Sequence, residues 1–179
     1  MEWQKLYKER TMSAEDAIKL IHSGDRVVIG HAVGVPLAIT DVLAAHKDDY
    51  ENVEIVQMVS MGNAKFAEPE MQGHFRVNSL FVGAFTKLAV KEGRADFTPC
   101  SFSEVPGLFQ EELPVDVAVI QVSPPDKQGY VSLGVSVDYT LPAAQMAKKV
   151  IAQVNTEMPR TLGDTALHVS QIDCFVEIS

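Results

Sequence analysis

Five short polar loops each follow a segment that is typical of a β-strand, and their residues are the ones that could bind a ligand. The loops lie at residues 34–36 (GVP), 60–62 (SMG), 83–86 (GAFT), 123–126 (SPPD) and 136–138 (SVD). Backbone N–H groups and hydroxyls in such loops can hold a carboxylate or carbonyl oxygen without a charged side chain. The pattern therefore predicts a binding surface for a small acid, with no evident nucleophile on it.

Glu104 is an acidic residue in an apolar setting, next to Val105 and Pro106. A desolvated carboxylate can act as an acid, a base or a nucleophile. More often such a group anchors a loop by accepting backbone N–H groups, and this structural role is the favoured interpretation. For the other acidic loop residues, Asp126 is expected to form a turn and Asp138 to cap the helix that follows it.

The histidines and cysteines form no pattern that is typical of a metal site. The five histidines occur in no H-x-x-x-H or H-x-E spacing, and neither Cys100 nor Cys174 lies near one. His22 and His46 lie near predicted helix C-termini, where a cation suits the helix dipole. His31, in the first loop, is therefore the histidine with the strongest claim to a functional role. The sequence also lacks a G-x-S-x-G elbow, a dinucleotide fingerprint and a Walker A motif.

Strands alternate with helices along the chain and would position these loops. Residues 115–122 are apolar and rich in β-branched side chains, which is typical of a strand buried on both faces. Further strands are predicted at residues 25–29, 52–59, 75–82, 130–133, 150–154 and 174–178, with a brief extended piece at 96–99. Helices are predicted at 14–23, 37–46, 87–92 and 139–149, and residues 104–109 are predicted to be turn-like, with a short helix after them. The alternation predicts an α/β fold, an open and mostly parallel sheet flanked by helices. Residues 1–179 are expected to form a single domain.

Composition limits the partners and the compartment. The formal net charge of −9 argues against DNA or RNA as the main partner. No apolar run approaches the roughly 18 residues that a membrane span needs, and the N-terminus does not resemble a signal peptide. Two distant cysteines suit a reducing compartment, although one disulfide between them is compatible with the sequence. We therefore expect a cytoplasmic protein with no membrane partner.

A series of short motifs, in order along nearly the whole chain, resembles one known family. They are 3–11 (WQKLYKERT), 23–27 (SGDRV), 104–106 (EVP), 122–126 (VSPPD) through Gly129, 134–136 (GVS) with 138–139 (DY), 154–155 (VN) with 158–160 (MPR), and 163–165 (GDT) with 168–170 (HVS) and 172–173 (ID). Together they resemble the N-terminal half of the acetyl-CoA hydrolase/transferase family, and within it the 4-hydroxybutyrate and butyryl-CoA:acetate CoA-transferases.

The resemblance implies a CoA-transferase fold that is related to those of sugar-phosphate isomerases, and a ping-pong transfer of CoA. In that family a glutamate of the C-terminal half carries the reaction, so no catalytic residue and no metal ligand is expected in this chain. Coenzyme A enters as the acyl-CoA substrate, and a short-chain carboxylic acid receives it. The implied protein partners are the C-terminal domain of the same polypeptide and further copies of the full-length protein.

The resemblance also implies that the loops of this half shape the acyl and carboxylate pocket. Ser60, Gly62 and Thr86 are expected near the substrate carboxylate, with Gly34 and Val35 nearby, where they would select a short acyl chain. Two alternatives stay open. One is an acyl-CoA hydrolase of the same family, and the other is a non-catalytic module for small-molecule binding or assembly. The apolar strand at the end of the chain suggests a cut within a longer protein.

Overall fold

The structure is a computed structural model that describes residues 2–61 and 65–178. Its centre is a parallel sheet of seven strands in the order β4-β3-β2-β1-β5-β7-β9. These strands are β1 (Arg26–Ile29), β2 (Val53–Gln57), β3 (Phe75–Ser79), β4 (Asp96–Phe97), β5 (Val117–Val122), β7 (Lys149–Asn155) and β9 (Cys174–Ile178). A separate antiparallel pair contains β6 (Tyr130–Ser132) and β8 (Ala166–His168).

The helices are short and cover both faces of the sheet. They are α1 (Glu2–Arg10), α2 (Ala14–Ala17), α3 (Leu37–Ala45), α4 (Lys87–Lys91), α5 (Val105–Gln110) and α6 (Thr140–Met146). Ser13 caps α2 by accepting a hydrogen bond from the N–H of Asp16. In the described residues, no helix is both long enough and apolar enough to cross a membrane.

Strand β5 is the centre of the core, because all six of its residues are buried. Val117 and Val119 pack in the cluster that includes Ile39 and Leu43 of α3. Ala118 and Ile120 point to the opposite face, into the cluster that includes Phe109 of α5. Alternate side chains of a strand point to opposite faces, so the consecutive apolar residues 117–120 supply both layers. The predicted open, parallel α/β sheet is therefore confirmed.

Two helices have bounds other than the predicted ones. Helix α5 begins at Val105, within residues 104–109 that the sequence patterns predict to be turn-like, and the helix predicted at 14–23 consists of α2 and a 3-10 turn that ends at Leu20.

Two further predicted elements differ from the observed ones. The helix predicted to continue to residue 149 ends at Met146, because Lys149 begins β7 and its N–H donates to the carbonyl of Asp116, at 3.0 Å. The short strand β6 follows β5 but pairs with β8, which lies in a segment where the sequence patterns predict no strand. Non-local pairing decides both points, and local sequence patterns do not contain it.

The order in which strands are added to the sheet reverses between β1 and β5, which is the topological switch point. From β1 the sheet grows through β2, β3 and β4 on one side, and through β5, β7 and β9 on the other. The loops that leave the carboxyl ends of two such strands turn to opposite faces and leave a crevice between them. The loops that follow β1 and precede α6 meet at this crevice.

Candidate functional site

Two loops interlock at the switch between β1 and β5. The first loop, residues 30–36, leaves β1, and the second loop, residues 133–139, enters α6. A Cβ atom at Gly34 would lie only 2.4 Å from the Cβ of Ser136. The backbone N–H of His31 donates to the Ser136 hydroxyl at 3.3 Å. The two loops thus touch at a point where only glycine fits.

A histidine and an aspartate from the two loops form a pair at this contact. Nδ1 of His31 lies 3.1 Å from Oδ2 of Asp138, and the two side chains are 17% and 19% exposed. The His31 ring packs against Tyr139, with ring centroids 5.3 Å apart, and against the edge of Phe102 at 5.7 Å. The imidazole is therefore fixed in orientation by an acceptor at Nδ1 and by two aromatic neighbours.

Asp138 is held in its ionised form by its neighbours. Burial opposes ionisation, but hydrogen bonds and charge from His31, with further hydrogen bonds from Thr140, outweigh it and lower the pKa of Asp138. Oδ1 accepts from the backbone N–H of Thr140 at 3.2 Å, so the predicted cap of α6 is present. Oδ2 accepts from the Ser136 hydroxyl at 3.3 Å. One carboxylate therefore orients the helix, the second loop and the histidine together.

Tyr139 joins the same helix start to two strands of the sheet. Its side chain is 1% exposed, and its hydroxyl donates to the carbonyl of Ile29 at 3.0 Å. The hydroxyl also accepts from the N–H of Met58, at 3.4 Å. Burial raises the pKa of Tyr139 well above its ordinary value, so the phenol stays protonated and neutral. It acts as a strut between α6 and the ends of β1 and β2.

The structure brings three of the predicted substrate-binding residues to the first loop. Gly34 makes the contact with Ser136, and Val35 is buried, with 6% exposure. Ser60 is paired with Ala32 in an isolated parallel bridge, so the loop after β2 lies beside the first loop. Gly62 lies outside the described residues. Thr86 is buried at the end of β3, two strands from β1, with its hydroxyl 3.3 Å from that of Ser79.

A ladder of amide side chains, which the sequence analysis did not single out, anchors the first loop from below. Nε2 of Gln121 donates to the carbonyl of Val33 at 3.2 Å, and its Oε1 accepts from Gln153 and Asn155, each at 3.0 Å. Oε1 of Gln153 accepts from the N–H of Ala38 at 2.9 Å, in the first turn of α3. The available signal was polar amides inside otherwise apolar strands, where burial requires partners.

The remaining candidates have structural roles. Oε2 of Glu104 accepts from the backbone N–H of Ser101 at 2.7 Å and completes a capping box. That backbone hydrogen bond and the Ser101 hydroxyl lower the pKa of the exposed Glu104 carboxyl. Oδ1 of Asp126 accepts from the N–H groups of Gln128 and Tyr130, as expected of a turn former.

Burial raises the pKa of Cys174 to about 12. No group of metal-ligating side chains occurs among the described residues.

The fold and the interlocked loops define a candidate small-molecule site of an open α/β protein, and sequence comparison gives the family of the chain. The family model of the acetyl-CoA hydrolase/transferase N-terminal domain matches residues 1–178. The chain belongs to this family. It is 57% identical over its whole length to the 4-hydroxybutyrate coenzyme A transferase of Clostridium kluyveri, and spans 42% of that protein.

Two further proteins support the assignment. The chain is 32% identical to the butyryl-CoA:acetate CoA-transferase of Anaerostipes caccae, over 99% of the chain and 41% of that protein. The crystal structure of RipA from Yersinia pestis superposes with a TM-score of 0.94 at 29% identity, over 99% of the chain and 44% of RipA. The chain thus spans less than half the length of these relatives.

The contact between the two loops predicts a strong effect of one added methyl group. Gly34→Ala places a Cβ atom against Ser136, so we expect a loss of about 1–3 kcal/mol in the free energy of unfolding. Gly107→Ala is the matched control, because a Cβ atom there meets nothing within 4 Å, and we expect it to be neutral or stabilising. In a urea-unfolding double-mutant cycle, Ser136→Gly should recover part of the loss. Full additivity would contradict the proposed clash.

The lowered pKa of Asp138 predicts a stability difference that depends on pH. A carboxyl whose pKa is lower in the folded state stabilises the fold above its unfolded pKa, and this contribution is lost as the pH falls through the folded value. Asp138→Asn keeps the acceptor for Thr140 but removes the charge. The difference in unfolding free energy between wild type and variant, measured in urea, should therefore shrink below about pH 4. A difference that grows on acidification would contradict this account.

Proposed function

We propose that the full-length protein is a CoA-transferase that moves CoA between a short-chain acyl-CoA and a carboxylic acid. The acyl groups it would accept are 4-hydroxybutyryl, butyryl and acetyl. The observation that carries the proposal is the pair of interlocked loops at the β1–β5 switch, with a fixed His31–Asp138 pair, in a chain of this family. A cytoplasmic location and a homo-oligomeric full-length protein are part of the proposal.

The proposed reaction is a ping-pong sequence on a glutamate that lies outside residues 1–179. The glutamate carboxylate attacks the thioester carbonyl, the CoA thiolate leaves, and an acyl–glutamyl anhydride forms. The thiolate then attacks the glutamyl carbonyl, which gives a glutamyl-CoA thioester and releases the first acid. The second acid repeats these steps in reverse, so the thioester bond is conserved and the glutamate is regenerated. Covalent catalysis of this kind divides one difficult step into easier ones.

In this proposal the present chain binds and orients the acid but does not carry the nucleophile. With Nδ1 paired to Asp138, Nε2 is the ring nitrogen of His31 that remains to hydrogen-bond a polar group of the substrate. Gly34, Val35 and Ser60 lie beside it on the first loop and its neighbour, and would form the wall against the acyl chain. Gly62 and Thr86 are proposed contacts of the substrate carboxylate. The substrate-binding role of all five residues is a proposal.

The proposed protein partner is the C-terminal domain of the same polypeptide. Large apolar side chains are about half exposed in the segment that follows β3 and in β4, namely Phe81, Phe85, Leu88 and Phe97. Phe102, beside His31, is 49% exposed as well. Exposed apolar side chains grouped in this way are typical of a surface that another protein body covers. Covering this edge would also exclude water from the site, as an anhydride intermediate requires.

An assay of acyl transfer in the full-length protein tests the proposal. Butyryl-CoA is mixed with 4-hydroxybutyrate or acetate, and chromatography separates new acyl-CoA from free CoA. We expect new acyl-CoA to dominate. Release of free CoA without an acceptor acid would favour the acyl-CoA hydrolase instead. Neither product, together with measurable binding of the acids, would favour a non-catalytic binding module.

Two variants assign the roles of the acidic and basic candidates. His31→Asn should lower kcat/KM at least tenfold, because it removes the imidazole nitrogen that Asp138 orients toward the substrate. Glu104→Gln should keep the activity of the wild type, since Glu104 closes a capping box and carries no covalent step. Mass spectrometry of the protein mixed with acyl-CoA should find the CoA adduct on a glutamate outside residues 1–179. An adduct on Glu104 would overturn the assignment.

The exposed apolar edge predicts the behaviour of residues 1–179 without further chain. The isolated piece should self-associate, because the apolar side chains that follow β3 would be buried only by another molecule. Sedimentation velocity across a range of concentrations measures this association. Phe81→Ser with Phe85→Ser should weaken it, whereas Leu162→Ser, a change at a 98% exposed residue in a different segment, should not. A clean monomer at high concentration would contradict the proposed covered edge.

A further inference from the structure

The amide of Gln57 is buried without a hydrogen-bond partner at the end of β2. Gln57 is 3% exposed, and its Nε2 atom makes no hydrogen bond in the described part of the chain. A buried donor without a partner costs free energy, and native proteins rarely keep one. The carboxyl ends of β5 and β7 carry Gln121 and Gln153, whose amides are hydrogen-bonded to each other. Asn78, near the end of β3, donates to Glu54 at 2.9 Å. Gln57 is thus the exception among the four buried amides near the carboxyl ends of the described strands.

A small, partly open cavity lies beside Gln57, next to the first loop. It is lined by Ile29, Val35, Thr40, Gln57, Ser60 and Phe66. The volume that the centre of a water-sized sphere can occupy in this cavity is about 10 Å³. That is room for one water-sized group and no more. The cavity therefore matches a single oxygen, and not a whole acyl chain or a carboxylate.

The polar atoms of the cavity decide the chemistry of that oxygen. Nε2 of Gln57 can only donate, so its partner must accept a hydrogen bond. The Thr40 hydroxyl already donates to the carbonyl of Leu37, at 3.3 Å, so its lone pairs remain to accept one. A group that accepts from Gln57 and donates to Thr40 is a hydroxyl or a water. A carbonyl would satisfy only the first of these.

We propose that this cavity is a binding site for one hydroxyl-type oxygen, held by Nε2 of Gln57 and the hydroxyl of Thr40. Two sources supply this chemistry: an internal water, or the terminal hydroxyl of an ω-hydroxyacyl chain. Val35 and Ser60 line the cavity and also belong to the proposed substrate surface. The end of a substrate chain bound at that surface would therefore lie close to the cavity. The second source rests on the proposed function, whereas the first does not.

Replacement of the amide by an apolar side chain of similar shape tests the site itself. If an oxygen is bound, Gln57→Met removes its donor, and the melting temperature should fall by about 2–4 °C. If the amide is unpaired, the same change removes a buried polar group that has no partner, and the melting temperature should stay level or rise. Gln72→Met, at an exposed residue, controls for the substitution, and Gln153→Met gives the reference for losing a paired amide.

A crystal structure at high resolution gives the second readout. We expect an oxygen within hydrogen-bond distance of both Nε2 of Gln57 and Oγ1 of Thr40, and its loss in Gln57→Met. A cavity filled by a protein side chain, or a Gln57→Met protein that is as stable as the wild type, would overturn the proposal.

Transfer kinetics in the full-length protein then separate the two sources. If Gln57 binds a substrate hydroxyl, Gln57→Met should lower kcat/KM about tenfold for 4-hydroxybutyrate and leave the value for butyrate unchanged. An equal effect on both acids identifies the oxygen as water. A wild-type protein without any transfer activity would reject the proposed function, while the melting temperature and the crystal structure would still decide whether an oxygen is bound.

Discussion

The backbone of Gly34 lies so close to Ser136 that a Cβ atom at position 34 does not fit, and the geometry of the site depends on this contact. It sets the distance between a loop that leaves β1 and a loop that enters α6. Once that distance is set, the His31 N–H reaches the Ser136 hydroxyl and the His31 ring reaches Asp138. A larger residue at position 34 would separate the loops and break both contacts together. The ring pair is thus a consequence of backbone packing.

Polar groups inside the sheet hold this arrangement from two sides. On the face of α3, the amides of Gln121 and Gln153 bind the carbonyl of Val33 and the N–H of Ala38. On the face of α6, the hydroxyl of Tyr139 binds the carbonyl of Ile29. Hydrogen bonds in a buried, low-dielectric setting are strong and specify one conformation. The first loop is therefore anchored by partners from β5, β7 and α6, all of which follow it by more than 80 residues.

The sequence predicts the layers of this fold better than it predicts the site. The run of β-branched residues in β5 indicates a strand buried on both faces. Residues 13–16 (SAED) have the S-x-x-D spacing of a helix cap, which indicates a helix start. Both depend on neighbours in the chain, and both are present. The pairing of His31 with Asp138 joins residues that are 107 positions apart, and it exists only because β1 and β5 are adjacent. The spacing of residues in the chain does not contain that adjacency.

The difference between local signals and contacts made by the fold also explains the two roles of Asp138. The sequence predicts its role as a helix cap but does not predict its contact with His31. A carboxylate two residues before a helical N–H is a local signal, and Thr140 does receive that hydrogen bond. The second oxygen of the same carboxylate is committed by the fold, through Ser136 and His31. The buried amides behave alike: Gln121 interrupts an apolar strand in the sequence, but its partners Val33 and Gln153 become visible only in three dimensions.

The arrangement also explains how binding and covalent chemistry can be divided between two parts of one protein. A nucleophilic carboxylate must be able to move from attack to release, whereas the groups that orient the substrate must stay fixed. His31 is fixed by Asp138, Tyr139 and Phe102, yet its side chain remains 17% exposed. The carboxylates of this chain that could be considered instead, Glu104 and Asp126, are each committed to backbone N–H groups. Under the proposed function, commitment of both carboxylates to backbone groups suits a reaction whose nucleophile lies outside residues 1–179.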